Sequence, residues 1–280
     1  MLTTKSKIMI ARNLSTFVRF FVSSVDGKIT LTRRRGINWA LDLGEAIDFI
    51  IYLSGGFELL ALREFKKVLR KDSVVIDVGA NIGAHTLPLA KMVGACGMVF
   101  AFEPTIFAFE KLRRNIELNP DLGKQISVNQ LFLCHDVSEK VCPEIGASWP
   151  LMPSVKVHPL ARFVKKSSNG AKRQALDQYI ESNTVKRVDL IKLDIDGYEL
   201  DMLKGAVDTI RRFKPKIMFE LIPYILEEHW SSSRELLEFF DGVGYEISRT
   251  AFGSAVSLKD QEVLLTMSRG KSINLWARSR

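Results

Sequence analysis

From Leu59 onward the chain alternates short β-branched runs with longer stretches of helical periodicity. This alternation predicts strands joined by crossover helices, the pattern of a parallel sheet with helices on both faces. The first four runs consist mostly of apolar residues, as is typical of parallel strands that are buried on both faces. The last two are interpreted as an antiparallel pair that closes one edge. The predicted strands are Val74–Asp77, Met98–Phe102, Ile126–Phe132, Val188–Leu193, Lys216–Glu220, Tyr245–Ser248 and Ser272–Ala277.

Seven strands with helices between them predict one α/β domain, a doubly wound sheet over residues 59–280 of the 280-residue chain. Residues 142–173 depart from this rhythm, because they contain four prolines and a Lys-Lys-Ser-Ser-Asn-Gly run. Such a composition is typical of an irregular insertion or lid rather than a second core.

Residues 1–58 are expected to form a basic, helical N-terminal extension. Residues 1–36 hold eight basic residues against one acid, Asp26, so they account for seven of the formal net charge of +8. A nucleic-acid-binding surface would spread this charge over the fold, so no nucleic-acid partner is expected. An apolar stripe at helical spacing, from Ile10 to Val25, leaves three readings open. The segment docks on the domain, makes a peripheral contact with an anionic membrane, or acts as a targeting segment.

The three cysteines, Cys96, Cys134 and Cys142, lack the spacing of a disulfide framework or a zinc site. This favours a reducing, cytoplasmic location and predicts no structural metal. No apolar run reaches the ~18 residues that a membrane-spanning helix needs. The sequence leaves the oligomeric state open.

The run VVIDVGANIGAHTLPLA, residues 74–90, is an apolar strand, an acid, a glycine-containing turn and a helix. Gly79 would let the chain reverse steeply and bring backbone N–H groups toward a ligand, and Gly83 would allow close packing where the helix starts. The helix N-terminus would add further donors. The turn therefore predicts a cradle for a nucleotide or a carboxylate.

Glu103 ends the next predicted strand, where an acid can accept both hydroxyls of a ribose. Asn81 stands where dinucleotide enzymes prefer a second glycine, which would hinder a diphosphate. Asp77 would repel a diphosphate but could receive the ammonium of an amino-acid ligand, directly or through water. These residues favour a methyl donor over NAD.

Three stretches of the sequence resemble the FkbM family of S-adenosylmethionine-dependent methyltransferases: DVGANIG at 77–83, AFEP at 101–104 with LRRNIELN at 112–119, and VDLIKLDIDGYELDMLKGA at 188–206. The resemblance spans residues 59–221, and the closing NLWARSR resembles the last strand of the family. It implies a class I, Rossmann-like methyltransferase fold, S-adenosyl-L-methionine as cofactor and O-methylation as the reaction. The cofactor-binding residues implied in this way are Asp77, Gly79, Ala80, Asn81, Gly83 and Glu103, with His135 where class I methyltransferases contact adenine.

One motif departs from the family. The family usually reads Asp-x-Glu-Gly where this chain has Asp194-Ile195-Asp196-Gly197, so Asp196 keeps the charge on a shorter arm. Carboxylates crowd this strand-to-helix junction, and crowding can raise the pKa of one of them enough for it to act as a general base. A divalent cation held by the same oxygens is the alternative, ranked below the base. The predicted catalytic residues are Asp194, Asp196 and Glu199.

Other polar residues near the predicted site are harder to assign. Lys192 lies on an apolar strand and is interpreted as structural, with a second reading on the substrate side. Glu220 lies at the end of the fifth predicted strand. It either binds hydroxyl groups of the acceptor or serves only as a capping acid. His85 opens the first helix and either contacts the cofactor or caps the turn.

The sequence therefore predicts a methyltransferase that acts on a hydroxyl of a small molecule or glycan. Two alternatives stay open: a nucleotide-dependent oxidoreductase, and a membrane or nucleic-acid adaptor with a vestigial pocket.

Overall fold

The computed structural model describes residues 29–151, 157–160, 163–256, 264, 267–268 and 271–280. Its centre is a seven-stranded sheet that confirms the predicted α/β class. The sheet strands are β3 (Val74–Val78), β4 (Met98–Phe102), β5 (Ile126–Asn129), β10 (Leu190–Leu193), β11 (Lys216–Leu221), β12 (Tyr245–Ser248) and β13 (Ile273–Ser279). Between β5 and β10 the chain forms four short strands that pair outside that sheet, β6 with β9 and β7 with β8: β6 (Leu131–Leu133), β7 (Glu144–Ser148), β8 (Val164–Ser167) and β9 (Lys172–Gln174).

The strand order is β12-β13-β11-β10-β3-β4-β5. Pairing is parallel from β11 through β10, β3 and β4 to β5, and β13 runs antiparallel to both β11 and β12. The order reverses direction between β3 and β10, which makes the carboxyl ends of these two strands a topological switch point. This is the seven-stranded arrangement that the resemblance to the FkbM family implies, with the antiparallel pair at the edge where the sequence predicted it.

Helices cover both faces of the sheet because alternate residues of each strand point to opposite sides. On β3, Val75 packs with the helices that carry Phe65 and Leu89 on one side, whereas Ile76 belongs to the larger core on the other. The described helices are α1 (Ala46–Ser54), α2 (Leu59–Val68), α3 (Thr86–Val93), α4 (Ile106–Glu117), α5 (Pro120–Gly123), α6 (Leu176–Ser182), α7 (Glu199–Lys204), α8 (Val207–Phe213), α9 (Pro223–Glu228) and α10 (Ser233–Gly242).

The helical prediction for the N-terminal extension is wrong over residues 29–42. These residues form a hairpin of β1 (Ile29–Arg34) and β2 (Ile37–Asp42), joined through Arg35 and Gly36, both at positive φ. Two turn residues at positive φ match the twist of a tight hairpin, so the strands that they join pair antiparallel. Helix α1 begins only at Ala46. Residues 1–28, with their apolar stripe, lie outside the described residues.

The hairpin packs on the domain. Trp39 and Leu41 of β2 are buried in one cluster with Ile82, next to the turn after β3. Asn115 on α4 ties the two together, because its Oδ1 accepts from the N–H of Ala40 at 2.8 Å and its Nδ2 donates to the Ile82 carbonyl at 2.9 Å. The extension therefore helps to hold the turn that carries the sequence motif.

The segment predicted as irregular, residues 142–173, is more regular than its prolines indicate. Strands β7 and β8 pair antiparallel with a bulge between Gly146 and Ser148, and β9 pairs with β6. The predicted third strand, Ile126–Phe132, is therefore split at Gln130, since its last residues leave the sheet to join β9. Residues 152–156 and 161–162 of the segment lie outside the described residues.

Within the described ranges, every helix is too short or too polar to pass through a lipid bilayer.

Candidate active site

A cleft opens at the carboxyl ends of β3, β4 and β10, at the topological switch point. Parallel sheets bind ligands at this position because the loops that follow adjacent strands diverge there. One wall is apolar and the other carries carboxylates around a buried lysine. The lining residues are Ile47, Phe57, Val78, Gly79, Ala80, Asn81, Ala84, His85, Phe102, Glu103, Pro104, Leu131, Phe132, Leu133, Ile145, Gly146, Trp149, Lys192, Asp194, Ile195, Asp196 and Tyr198.

The turn after β3 lines the cleft, but its N–H groups are already used. Gly79 and Ala80 both donate to the Phe102 carbonyl at 3.0 Å, and Gly83 donates to Ala80 at 2.9 Å. The N–H of Asn81 donates to Glu103 Oε2 at 3.0 Å, and that of Ile82 donates to Asn81 Oδ1 at 2.9 Å. The prediction that this turn offers N–H groups to a ligand is therefore not met. A diphosphate would find no free donors among these five groups.

Gly79 is required by the close approach of two loops. A Cβ added to it would lie 1.9 Å from the Asp194 carbonyl oxygen, and its φ of 75° is in the left-handed region. Gly83 has a φ of 89°, and its Cβ would lie 2.9 Å from Leu112 on α4. The close packing predicted for Gly83 is present. Gly83 is outside the cleft lining, so it shapes the turn without facing the cleft.

Glu103 lies at the end of β4 and is almost completely buried in the cleft wall. Its Oε1 accepts from the N–H and the hydroxyl of Thr105 at 2.9 and 2.6 Å, and its Oε2 accepts from Asn81. A carboxylate has roughly four acceptor positions, so about one remains for a ligand hydroxyl. Burial raises the pKa of Glu103, although these hydrogen bonds oppose the rise.

Asp77 lies beneath the floor of the cleft and is completely buried. Its Oδ2 accepts from the Thr86 hydroxyl at 2.6 Å, and its Oδ1 is 3.5 Å from Lys192 Nζ without a hydrogen bond. In this structure Asp77 has no direct access to the cleft, so any effect on an ammonium in the cleft acts through its neighbours.

Lys192 is the positive centre of the site. Its ammonium donates to the carbonyls of Val78 at 3.2 Å and Gly79 at 2.8 Å, and lies 3.7 Å from Asp194 Oδ2. Burial alone would lower the pKa of Lys192, but the charges of Asp77, Asp194 and Glu58 outweigh burial and raise it. Lys192 therefore stays charged and joins the two loops, which supports the structural interpretation. It also lines the cleft.

Asp194 and Asp196 both line the cleft after β10, as the sequence predicted. Asp194 is the more open of the two partners in its ion pair with Lys192, with 29% of its side chain exposed. Asp196 has a φ of 48°, a left-handed conformation that aspartate tolerates better than most residues. Burial raises the pKa of Asp196 well above its usual range, and the negative charges of Asp194 and Glu199 add to the effect.

Glu199, the third predicted catalytic acid, does not line the cleft. It is buried in the first turn of α7, and its Oε1 accepts from the N–H groups of Ile195 and Gly197 at 3.2 and 3.3 Å. Burial raises the pKa of Glu199 to about 7 despite these hydrogen bonds. Its position makes it a support for the loop that carries Asp196. The sequence prediction placed Glu199 in the cleft because it lies close to Asp194 and Asp196 along the chain. A residue in the first turn of a helix can instead face the loop that precedes it.

His135 is exposed and lies away from the cleft lining, and its N–H donates to Asp201 Oδ1 at 3.1 Å. The structure therefore does not place it against the adenine side of the site. Because β5 ends at Asn129, the residues that line the cleft after that strand are Leu131, Phe132 and Leu133. Ala80 does line the cleft.

Two further residues lie at the site: His85, whose role the sequence left open, and Glu58, which no sequence pattern indicated. His85 lines the cleft, with its ring 5.8 Å from that of Phe57 and 5.7 Å from that of Phe65. Glu58 Oε2 lies 3.9 Å from His85 Nε2 and accepts from Asn274 Nδ2 at 3.1 Å. Glu58 precedes α2, remote in sequence from every motif, so its left-handed φ of 46° and its place beside the cleft had no sequence signal.

Glu220 also belongs to this side of the sheet, at the end of β11. Burial raises its pKa well above the usual range, with the charges of Asp194 and Glu58 adding to the effect. It does not line the cleft. Within the part of the chain that the structure describes, no group of three or more histidine, cysteine, aspartate or glutamate side chains is arranged to hold a metal ion.

The family model for the FkbM methyltransferase domain matches residues 77–247, which is more than half of the chain. The chain belongs to this family. The FkbM resemblance predicted from the sequence is therefore confirmed. The matched range begins at Asp77 and includes the turn, Glu103 and the loop with Asp194, so the cleft described above is the cleft of the FkbM domain.

Named relatives of this FkbM domain are also methyltransferases. The hexuronic acid methyltransferase AglP of Haloferax volcanii is 29% identical over 141 residues, 50% of this chain and 53% of that protein. Methyltransferase 1 of Beauveria bassiana is 29% identical over 152 residues, 49% of this chain and 59% of that protein. The chain thus spans little more than half the length of these relatives. Among solved structures, an FkbM methyltransferase from Methylobacillus flagellatus has a TM-score of 0.42 at 18% identity, covering 74% of this chain and 44% of that one.

Membership in the FkbM family makes S-adenosylmethionine the cofactor of the domain. The cleft has the chemistry to hold it. An apolar wall from β6 and β7 suits a base ring, Glu103 keeps an acceptor position for a ribose hydroxyl, and Asp194 places negative charge where a positively charged ligand would lie.

Proposed function

We propose that this chain is an S-adenosylmethionine-dependent methyltransferase that methylates a hydroxyl group of a small molecule or a glycan. One observation favours S-adenosylmethionine over a dinucleotide as the ligand of the cleft. The five N–H groups from Gly79 to Gly83 are bonded within the protein, while the carboxylates of Glu103, Asp194 and Asp196 line the same cleft. A cleft with no free N–H donor in this turn and with the ionised Asp194 in its wall is unsuited to a diphosphate.

On the donor side, we assign Glu103 to the ribose hydroxyls and the turn at Gly79, Ala80 and Asn81 to the floor under the nucleoside. Asp77 and Gly83 support this floor from below, Asp77 through Thr86 and Lys192 and Gly83 through its packing on α4. S-adenosylmethionine supplies a methyl group carried on a positively charged sulfur. His135 is not retained in this assignment because it does not line the cleft.

On the acceptor side, Asp194 and Asp196 lie where a hydroxyl would meet the donor, so both can accept a hydrogen bond from it and align it. Alignment is the main demand of an in-line displacement. Lys192 holds Asp194 in place, and Glu199 fixes the loop that presents Asp196. Glu199 is therefore proposed as a positioning residue.

The acceptor class is inferred from the chemistry of the cleft and from a relative. Carboxylates at the mouth can each bind hydroxyls of a polyhydroxylated ring, and one relative is named as a hexuronic acid methyltransferase. A hydroxylated ring is therefore the first acceptor to test. The cysteines at 96, 134 and 142 are free thiols, in line with the proposed cytoplasmic location.

Calorimetric titration tests the donor. Titrations with S-adenosylmethionine, S-adenosylhomocysteine and NAD should show binding of the first two and none of NAD. Binding of NAD alone would support the oxidoreductase alternative. Binding of none of the three would favour an adaptor with a vestigial pocket.

A coupled assay for S-adenosylhomocysteine tests the acceptor, with neutral sugars, uronic acids and matching amino sugars as candidates. Mass spectrometry of the product should place the new methyl group on oxygen. Asp194→Asn should lower turnover by 10²-fold or more, since the group that aligns the hydroxyl is lost. Full turnover in this variant would remove Asp194 from the mechanism, and exposed Asp121→Asn is the matched control.

A further inference from the structure

We propose that His85, oriented by Glu58, accepts the proton of the acceptor hydroxyl during methyl transfer. This proposal rests on the proposed function, and it concerns a pair of residues outside the two sequence motifs that place carboxylates in the cleft. Three features of the described residues carry it: the position of the ring, the approach of Glu58 to one ring nitrogen and the backbone conformation of Glu58.

The imidazole of His85 is held in one orientation. Only 4% of the side chain is exposed, and the rings of Phe57 and Phe65 pack against it at 5.8 and 5.7 Å. His85 lines the same cleft as Lys192 and Asp194. A fixed ring at the cleft wall satisfies the first requirement of a proton acceptor, which is geometry.

The two ring nitrogens have different surroundings. Nε2 is enclosed, without a hydrogen-bond partner, and faces Glu58 Oε2 at 3.9 Å. A small rotation of the carboxylate would close this distance to a hydrogen bond, and such bonds are often long before a substrate is bound. Because Nε2 points to the carboxylate, Nδ1 is the nitrogen that can serve a group in the cleft. A proton on Nε2 would leave the lone pair on Nδ1.

Glu58 is held in an uncommon conformation. Its φ of 46° is left-handed, which costs a residue with a Cβ about 1 kcal/mol. The Asn274 side chain on β13 also binds its carboxylate. Strain of this kind persists where the surrounding structure imposes it, and it clusters at functional sites. Here it aims a carboxylate at a histidine, the arrangement by which a third group orients a base.

The charge state suits the role. Burial lowers the pKa of His85 and so does the charge of Lys192, whereas Glu58, Asp77 and Asp194 raise it. The net shift is downward, so the ring is neutral near pH 7 and can receive a proton. In the step, the hydroxyl proton passes to Nδ1 as the oxygen bonds to the methyl carbon. The electron pair of the broken carbon–sulfur bond stays on sulfur, and the proton later leaves to water.

The first experiment needs no acceptor. Long-range ¹H–¹⁵N correlation spectra of the uniformly labelled protein report the tautomer and the pKa of each of its four histidines. His85 is assigned by loss of its signals in His85→Gln. The expected result is the Nε2–H tautomer at pH 7, with a pKa that falls further in Glu58→Gln and stays unchanged in exposed Glu117→Gln. The Nδ1–H tautomer, or no response to Glu58→Gln, would overturn the proposal.

The second experiment uses whichever hydroxyl acceptor the coupled assay identifies. His85→Gln is expected to reduce turnover by 10²-fold or more, with S-adenosylhomocysteine affinity changed less than threefold. Added imidazole should restore part of the rate to His85→Ala, and exposed His135→Gln should behave as the wild type.

Loss of S-adenosylhomocysteine affinity in parallel with turnover would instead make His85 a cofactor-binding residue and overturn the proposal, as would unchanged turnover. Failure of the proposed function appears separately, as no binding of S-adenosylhomocysteine to the wild type. The spectroscopic result for the wild type stands even where His85→Gln does not fold.

Discussion

At the scale of single residues, the cleft is built from charged groups whose partners are fixed by the backbone around them. Lys192 lies between Asp77 and Asp194 and donates to two carbonyls of the neighbouring strand. Removing one member of such a buried set leaves an uncompensated charge, which costs far more than the set contributes as a whole. The carboxylates around Lys192 therefore stabilise the fold as well as lining or supporting the cleft.

Glu103 offers the sharpest test at this scale. Glu103→Gln replaces one acceptor oxygen with an NH₂ group. This NH₂ group would face the N–H donors of Thr105 or Asn81, and the side chain would lose an acceptor for a ribose hydroxyl. The expected result is 10- to 100-fold weaker binding of S-adenosylhomocysteine, corresponding to about 1–3 kcal/mol. Calorimetry measures it, with exposed Glu117→Gln as control. Unchanged affinity would show that Glu103 does not contact the ligand.

At the scale of elements, the site depends on two strand-to-helix loops that touch each other. The loop after β3 reaches within contact of the loop after β10, because Gly79 has no side chain. The β10 loop in turn depends on Glu199, whose carboxylate binds two of its N–H groups. Each loop yields one prediction.

Gly79→Ala separates the effect of contact from that of backbone conformation. Both Gly79 and Gly244 have positive φ, 75° and 78°, but a Cβ on Gly244 would meet nothing within 4 Å. Gly244→Ala should cost about 1 kcal/mol of unfolding free energy. Gly79→Ala should cost at least about 2 kcal/mol more, since its Cβ collides with the Asp194 carbonyl. Urea unfolding measures both, and equal losses would contradict the contact.

Glu199 predicts a pH dependence. Burial raises its pKa in the folded protein to about 7, against 4.5 as the ordinary value. Stability due to protonated Glu199 is therefore fully present below pH 4.5 and lost as the pH rises toward 7. The glutamine of Glu199→Gln does not ionise. The unfolding free energy of this variant should therefore rise relative to that of the wild type by on the order of 3 kcal/mol over this pH range.

Urea midpoints measured from pH 4.5 to 8 provide the comparison for Glu199→Gln. Exposed Asp121→Asn should keep a constant difference from the wild type across the same range, because its side chain is 94% exposed. A constant difference for Glu199→Gln as well would mean that Glu199 titrates normally in the folded protein.

At the scale of the whole molecule, the residues that follow the N-terminal hairpin are joined to the end of β7 beside the cleft. Glu45 accepts from the hydroxyl of Ser148 at 2.9 Å and from the N–H of Trp149 at 2.9 Å. Trp149 lines the cleft, and Ile82 joins the hairpin core below the turn. Residues far apart in sequence thus share the support of one site.

Trp39→Ala tests this coupling. Trp39 is buried with Leu41 and Ile82, so truncation should cost about 3–5 kcal/mol of unfolding free energy. It should also weaken S-adenosylhomocysteine binding severalfold, because the turn loses its support. Leu31→Ala, on the same hairpin but 65% exposed, should change neither quantity appreciably. Lost stability with unchanged affinity would show that the hairpin and the cleft are independent.

Much of the fold was readable from the chain. Strand β4 lies over residues 98–102 as predicted, and β12 and β13 pair at the edge as predicted. Short apolar runs between helical stretches are typical of strands buried inside a sheet. The glycine turn, Glu103 and the loop with Asp194 and Asp196 also meet as predicted. Their positions follow from one rule: parallel strands bring their carboxyl ends to the same edge.

Tertiary structure decided the rest, because it depends on contacts between residues remote in sequence. The side chain of Glu199 turns toward its own loop, and the chain after β5 leaves the sheet before His135. Residues 29–42, expected in a helical extension, form a hairpin through Arg35 and Gly36. The pairing of Glu58 with His85 depends on β13, which delivers Asn274 from the far end of the chain. Local patterns specify which residues form strands and helices, whereas the orientation and charge of a side chain depend on all the elements packed around it.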